Sequence, residues 1–202
     1  MMAPAMRPVH RNVLALVLVV LSTAACGGPP DPLASHTNPS VAAPSPTPLP
    51  HEAADLEARL PKSIHGEMLA PRSFTGATFL GSGTTENQTA LRAMLSRLGR
   101  SVDDLTLALA DDPSGTISFV EGIFRVAGTP PDALEQAWVE WQQAATQNQL
   151  VKGTVEIGGR RVDKVTDAVA GGTTYVVSRG DSLVLIVADD PASIAEAVGK
   201  IP

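Results

Sequence analysis

Apolar residues recur at two different periods along this chain, and the periods divide it into helices and strands. Leu91, Met94, Leu95 and Leu98 follow the i, i+3, i+4, i+7 spacing of one helical stripe. Thr85 with Gln88 has the spacing of a capping box and Gly99 stands where a helix stops, so a helix is predicted over 85–98. The same period runs through Leu134, Ala137, Trp138, Trp141 and Ala145, behind Thr129 as a cap and Pro130 at the first helical position, which predicts a helix over 129–146. Ile194, Ala197, Val198 and Ile201 follow Asp190 and Pro191 in the same way and predict a helix over 190–200. A shorter helix is predicted over 52–60, ended by Pro61.

Elsewhere the period falls to two. Leu105, Leu107 and Leu109 alternate with Thr106, Ala108 and Ala110, the pattern of a half-buried strand. In "TISFVEGIFRV" the apolar parity switches between Ile117 and Phe119 on one side and Phe124 and Val126 on the other, and a bulge near Gly122 would reconcile the halves. "TVEIGGRRVDKV" reads as a hairpin turning at Gly158 and Gly159, with Val155 opposite Val162 and Glu156 opposite Arg161. "TTYVVSRGDSLVLIVA" is a second hairpin, and its Leu183 to Ala188 half, apolar on both faces, reads as a central strand. The order α, α, β-β, α, β-β, β-β, α implies an α+β fold: an antiparallel sheet of about six strands in hairpins, with helices packed on one face. "AGTPPDALEQAW" and "VADDPASIAEAV" echo each other with Pro131 over Pro191. Either a duplicated ββα unit or a shared helix-start signal accounts for that echo.

The N-terminal quarter follows other rules. Arg7, His10 and Arg11 precede nine consecutive apolar residues, "VLALVLVVL", and then the small residues Ser22, Thr23, Ala24 and Ala25. This is the layout of a secretory signal peptide, and the run is shorter than the roughly 20 residues a membrane-spanning helix needs. The junction "TAAC" ends at Cys26, the single cysteine of the chain, and resembles the lipobox of bacterial lipoproteins. The resemblance implies cleavage before Cys26 and attachment of a diacylglycerol to its thiol. Thr23 stands where that family prefers Leu; ordinary cleavage after Ala25 would instead leave a free N-terminal thiol. One cysteine has no disulfide partner in its own chain, and lipidation gives it a role. From Pro29 to Pro50 the chain reads "PPDPLASHTNPSVAAPSPTPLP", eight prolines in 22 residues. Such a segment extends as polyproline II and spans up to roughly 70 Å. The expected organisation is a signal peptide over 1–25, lipidated Cys26 with a proline-rich linker over 26–50, and one α+β domain over 51–202.

Charge narrows the partners. The formal net charge is −6, and removing Arg7 and Arg11 with the signal takes it to −8. No basic cluster occurs, which argues against nucleic acid and against an electrostatic grip on anionic lipid. The membrane partner is therefore expected through the anchor on Cys26, at the extracytoplasmic face.

Several short patterns have both a chemical and a structural reading. Arg179-Gly180-Asp181 spells the integrin-ligand tripeptide, yet it falls where a hairpin needs a turn, which Gly and Asp supply. Asp103-Asp104, Asp111-Asp112 and Asp189-Asp190 are acidic pairs of the kind calcium uses, but they lack its loop spacing and sit at element boundaries, where carboxylates cap and turn. His65 lies inside the domain with no cysteine or second domain histidine beside it save His51 at the edge, too few ligands for zinc, and reads as a solvated loop residue. Trp138 and Trp141 read as core, with the floor of a ligand pocket as the alternative. No nucleophile elbow and no phosphate-binding glycine loop is present. No catalytic, cofactor or metal residue is assigned. The function expected is a cell-envelope lipoprotein whose domain binds an envelope protein or a small-molecule ligand. The alternatives are an envelope hydrolase with unrecognised carboxylates and a structural accessory subunit of an envelope complex.

Overall fold

The structure, a computed structural model, describes residues 49–201. The signal segment, Cys26 and most of the proline-rich tether lie outside the described residues. In chain order the elements are α1 (Ala54–Glu57), β1 (Ser63–Ile64), β2 (Glu67–Met68), β3 (Ala70–Thr75), α2 (Gly76–Gly81), α3 (Thr85–Arg97), β4 (Leu105–Asp111), β5 (Phe119–Val126), α4 (Pro131–Thr146), β6 (Leu150–Ile157), β7 (Arg160–Asp167), β8 (Thr173–Arg179), β9 (Ser182–Ala188) and α5 (Pro191–Lys200). β3 to β9 form one antiparallel sheet in the order β3-β4-β5-β9-β8-β7-β6, and β1 and β2 make a separate two-stranded ribbon. The α+β class and the hairpin pairing follow the sequence pattern, including Val155 opposite Val162 and Glu156 opposite Arg161. The turn between them has positive φ at both Gly158 and Gly159, as a type I′ turn requires. β9 is the middle strand of the seven, as its two apolar faces predict.

The helices lie on both faces of the sheet rather than on one. Leu105, Leu107 and Leu109 of β4, Phe124 and Val126 of β5, and Leu183 and Leu185 of β9 pack beneath α2, α3 and α4. Ala108, Ala110, Phe119, Ile123, Val184 and Ile186, the alternate positions of the same strands, pack beneath α1 and α5. The small side chains of β4 therefore mark a second buried face, where Ala108 and Ala110 contribute only methyl groups and let α1 approach. The parity switch in β5 has the same origin. No bulge interrupts its register, with Gly122 opposite Leu109 on one side and Leu185 on the other. The echo between the starts of α4 and α5 does not extend to their placement. A two-fold axis relating antiparallel neighbours β5 and β9 would put both helices on one face, whereas they occupy opposite faces. A shared start signal explains the echo.

The strand β3 and the helix α2 have no counterpart in the periodicity. Gly76 opens α2 at a close approach: a Cβ there would sit 2.2 Å from the Val102 carbonyl oxygen. Two helix starts are shifted by one residue from their expected places. Pro131, not Pro130, occupies the first turn of α4. For α3 the capping side chain is Thr84, which accepts from the Asn87 N–H at 3.3 Å, while Gln88 donates to the Gly83 carbonyl. Thr84→Ala is accordingly expected to lower stability by about 1 kcal/mol. Thr85→Ala, inside the helix, is expected to be neutral or slightly stabilising. Urea denaturation of the two variants checks this, and equal losses would return the cap to Thr85. α5 begins as read, with Asp190 accepting from the N–H groups of Ala192 and Ser193 ahead of Pro191.

Candidate functional site

Polar side chains at element boundaries are largely absorbed by local structure. Asp112 accepts from the Ser114 hydroxyl and from the N–H groups of Ser114 and Ile117, which pull its carboxyl down to about 2. Asp111 forms a fork with Arg72. Asp104 accepts from the backbone and side chain of Ser101, which lower it. All three acidic pairs thus include a carboxylate engaged in a cap, turn or ion pair.

His65 is an exposed turn residue, as read, and it also makes polar contacts with α5 and its cap. It stands at positive φ in the β1–β2 turn, its N–H donates to Glu196, and its ring nitrogens lie 3.3 Å and 3.4 Å from Glu196 and Asp190 of α5 and its cap. His51, Glu57 and Ser73 also gather, but in an order that does not serve nucleophilic catalysis. The buried Ser73 hydroxyl donates to Glu57, and Glu57 contacts the His51 ring. The carboxylate stands between hydroxyl and imidazole, so the histidine has no proton to take from the serine. The cluster fastens residues 51–57 to β3.

The tryptophans are core. Trp138 is 1 % exposed, and Trp141 stacks on Phe124 at 5.7 Å, meets Phe79 edge-on and donates from Nε1 to Asn87 at 3.0 Å. The cavity beside them measures about 40 Å³.

On the opposite face of the sheet lies a cavity of about 250 Å³. It is lined by Arg59 from the turn after α1, Glu121 and Ile123 of β5, Val184 of β9, Arg179 at the end of β8, and Ile201 beyond α5. Strand register explains the convergence. Glu121 falls in the face shared with Phe119 and Ile123, opposite Ala110 and Ile186, so its side chain rises from a buried, otherwise apolar surface. Ile201 is held by Arg160, which donates to the Val198 and Ile201 carbonyls. Arg179 is the first residue of the RGD tripeptide. Gly180, with positive φ, makes the tight turn to β9, and this places the arginine at the lip of the cavity.

Glu121 is 2 % exposed, and its buried Oε2 has no hydrogen-bond partner among the described residues. Burial pushes its carboxyl up to about 8, against the downward pull of the Lys200 charge. At neutral pH it is therefore mostly a neutral acid, offering one O–H donor and acceptor oxygens. Other buried carboxylates differ. Asp167 is also pushed up by burial, but the Ala170 N–H, the Asn148 amide and the Val169 N–H outweigh this and leave it below the ordinary range. Glu135 is ion-paired with Lys152 and accepts from Ser178. A strongly perturbed, unpartnered acid in a cavity is the physical signature of a functional position. The sequence carried one sign of it, a lone acid inside a run of large apolar residues, which the periodicity did not single out. No protein-family model, curated protein or solved structure matches the chain.

Proposed function

We propose that the chain is a lipid-anchored cell-envelope lipoprotein whose domain binds a small molecule in the Glu121 cavity. The observation that carries the binding half is Glu121, a buried acid held neutral and with an unpartnered oxygen, in the lining of a cavity of about 250 Å³. That space exceeds the 150 Å³ or so that holds benzene in an engineered protein cavity. The anchoring half rests on the signal-like segment, the TAAC junction at Cys26 and the proline-rich tether after it. Among the described residues the large exposed hydrophobics are Leu49, Met68, Val151 and Val169, of which Val151 and Val169 alone share one end of a strand pair, and so small a set favours a small ligand over a broad protein-docking surface. An envelope hydrolase calls for a second carboxylate facing Glu121, and the residues lining the cavity supply none.

Cys26→Ser is expected to move the protein from the membrane fraction to the medium or periplasm and to abolish metabolic labelling with a radioactive fatty acid. Retention in the membrane, together with an unlabelled wild type, would overturn the lipid anchor. Native mass spectrometry of the full chain released from membranes tests the other half. A protein that carries nothing and captures nothing from cell extract would point to a structural accessory subunit.

A further inference from the structure

We infer that the Glu121 cavity takes a small amphiphilic oxyanion, its carboxylate or phosphate head held by Arg59 and Arg179 and its apolar body seated against Ile123, Val184 and Ile201. The inference rests on the small-ligand reading above and specifies the chemistry of its ligand.

The two arginines come from separate parts of the chain, one from the turn after α1 and one from the end of β8, yet both line the same cavity. Among the described residues neither is paired with a carboxylate, whereas Arg72, Arg97 and Arg125 each hold an acid at 2.6 Å or less. The acid within the cavity does not pair them either. Its largest influence is burial, and the one charge acting on it appreciably is that of Lys200. Lys200 itself is engaged with Glu196 and the Ser63 carbonyl. The cavity is thus a net positive space in a chain of net charge −6, which favours an anion there against the charge of the whole protein. Guanidinium groups recognise carboxylate and phosphate with paired, directional hydrogen bonds, and two of them at one mouth define a place for an oxyanion head.

Three aliphatic side chains form the remaining wall. They offer no hydrogen bond, so the part of the ligand against them is apolar. The protonated Glu121 carboxyl can donate to an acceptor on the ligand without adding a negative charge that would repel it. A cationic ligand reverses both terms: it meets two guanidinium charges and finds a carboxyl that must first lose its proton against burial.

The test uses the full chain in lipid nanodiscs, with empty nanodiscs as the blank, and four probes of one chain length: hexanoate, hexyl phosphate, hexylamine and 1-hexanol. Calorimetric titration is expected to show binding of at least one oxyanion, with hexylamine and hexanol at least tenfold weaker. Arg59→Ala and Arg179→Ala, both at exposed positions, are each expected to weaken the bound oxyanion about tenfold or more. The preferred head, carboxylate or phosphate, separates a free organic acid from a phosphorylated ligand. Hexanol or hexylamine binding as tightly as the oxyanions would overturn the oxyanion inference and leave the small-ligand reading standing. So would arginine variants that bind like the wild type. A protein that binds none of the four at millimolar concentration would overturn both.

Discussion

Replacing Glu121 with glutamine is expected to stabilise the protein, and the gain is expected to grow with pH. In the folded chain burial lifts this carboxyl from an ordinary value of 4.5 to about 8. The unfolded chain therefore releases the proton at a lower pH than the folded one. Between those values the folded state binds more protons than the unfolded, so folding stability falls as pH rises, by up to about 1.4 kcal/mol per pH unit. The penalty is near zero at pH 4, about 3 kcal/mol at pH 7, and levels off near 5 kcal/mol once the pH passes the folded value. Glutamine has nearly the same shape and no proton to lose, so it escapes this term. Urea denaturation of both proteins at pH 4, 7 and 9 should give curves that nearly coincide in acid and separate progressively above it. A difference independent of pH would show that ionisation of Glu121 is not what distinguishes the two. Losses of this size are a large share of the 5–15 kcal/mol that holds an ordinary domain together. A group that weakens its own fold near neutrality is a natural place to look for a role other than folding.

Trp138→Ala is expected to have the largest effect in the other direction. The side chain is fully enclosed between α4 and the sheet, in the core that also holds Phe124, Leu134 and Leu183. Truncation removes the transfer energy of the indole and leaves a void that rigid strands cannot close, a loss of about 3–5 kcal/mol. Trp141→Phe provides the comparison. It keeps an aromatic ring over Phe124 and removes the donor that Asn87 receives in a buried position. That change is expected to lower stability by about 1–3 kcal/mol, the penalty of an unsatisfied buried acceptor. Thermal or urea unfolding ranks the two. Should Trp141→Phe prove the more damaging, the hydrogen bond to Asn87, and not the bulk of Trp138, would be the main support of this core.

Local signals carried the parts of the fold that local chemistry decides. α5 is legible because Asp190 and Pro191 fix its start and an apolar stripe fixes its inner face. The β6–β7 hairpin is legible because only a tight turn with positive φ uses Gly158 and Gly159 in succession. β3 escaped because "APRSFT" shows no alternation. Its neighbours are β4 on one side and the chain entering at Pro50 and His51 on the other, and neither partner is local. The second helical layer escaped for a related reason. Alanine at 108 and 110 looks like the weak side of a half-buried strand until α1 is seen to lie on it.

The cavity was hidden by the same ambiguity. A parity switch in β5 suggests a bulge when one face is taken to be solvated. A strand buried on both faces needs no bulge, and it has no outward position for Glu121. The arginines gave no warning, since residues 59 and 179 are 120 positions apart and one of them sits in a tripeptide better known for adhesion. Cys26, the position the sequence marks most clearly, lies outside the described residues.

The strand order has a further consequence for how the molecule comes together. β3, β4 and β5 form one meander of sequential neighbours, and β6 to β9 form another. They join only where β5 pairs with β9, residues some sixty positions apart, such as Ile123 with Val184. Local hairpins such as β4–β5, β6–β7 and β8–β9 close quickly, while pairing across such a separation carries a loop-closure penalty and tends to govern the rate. The Glu121 cavity straddles this seam, drawing Arg59, Glu121 and Ile123 from the first half and Arg179, Val184 and Ile201 from the second. Whatever occupies it bridges the two meanders, so its binding energy is gained only by the joined state and opposes their separation by mass action.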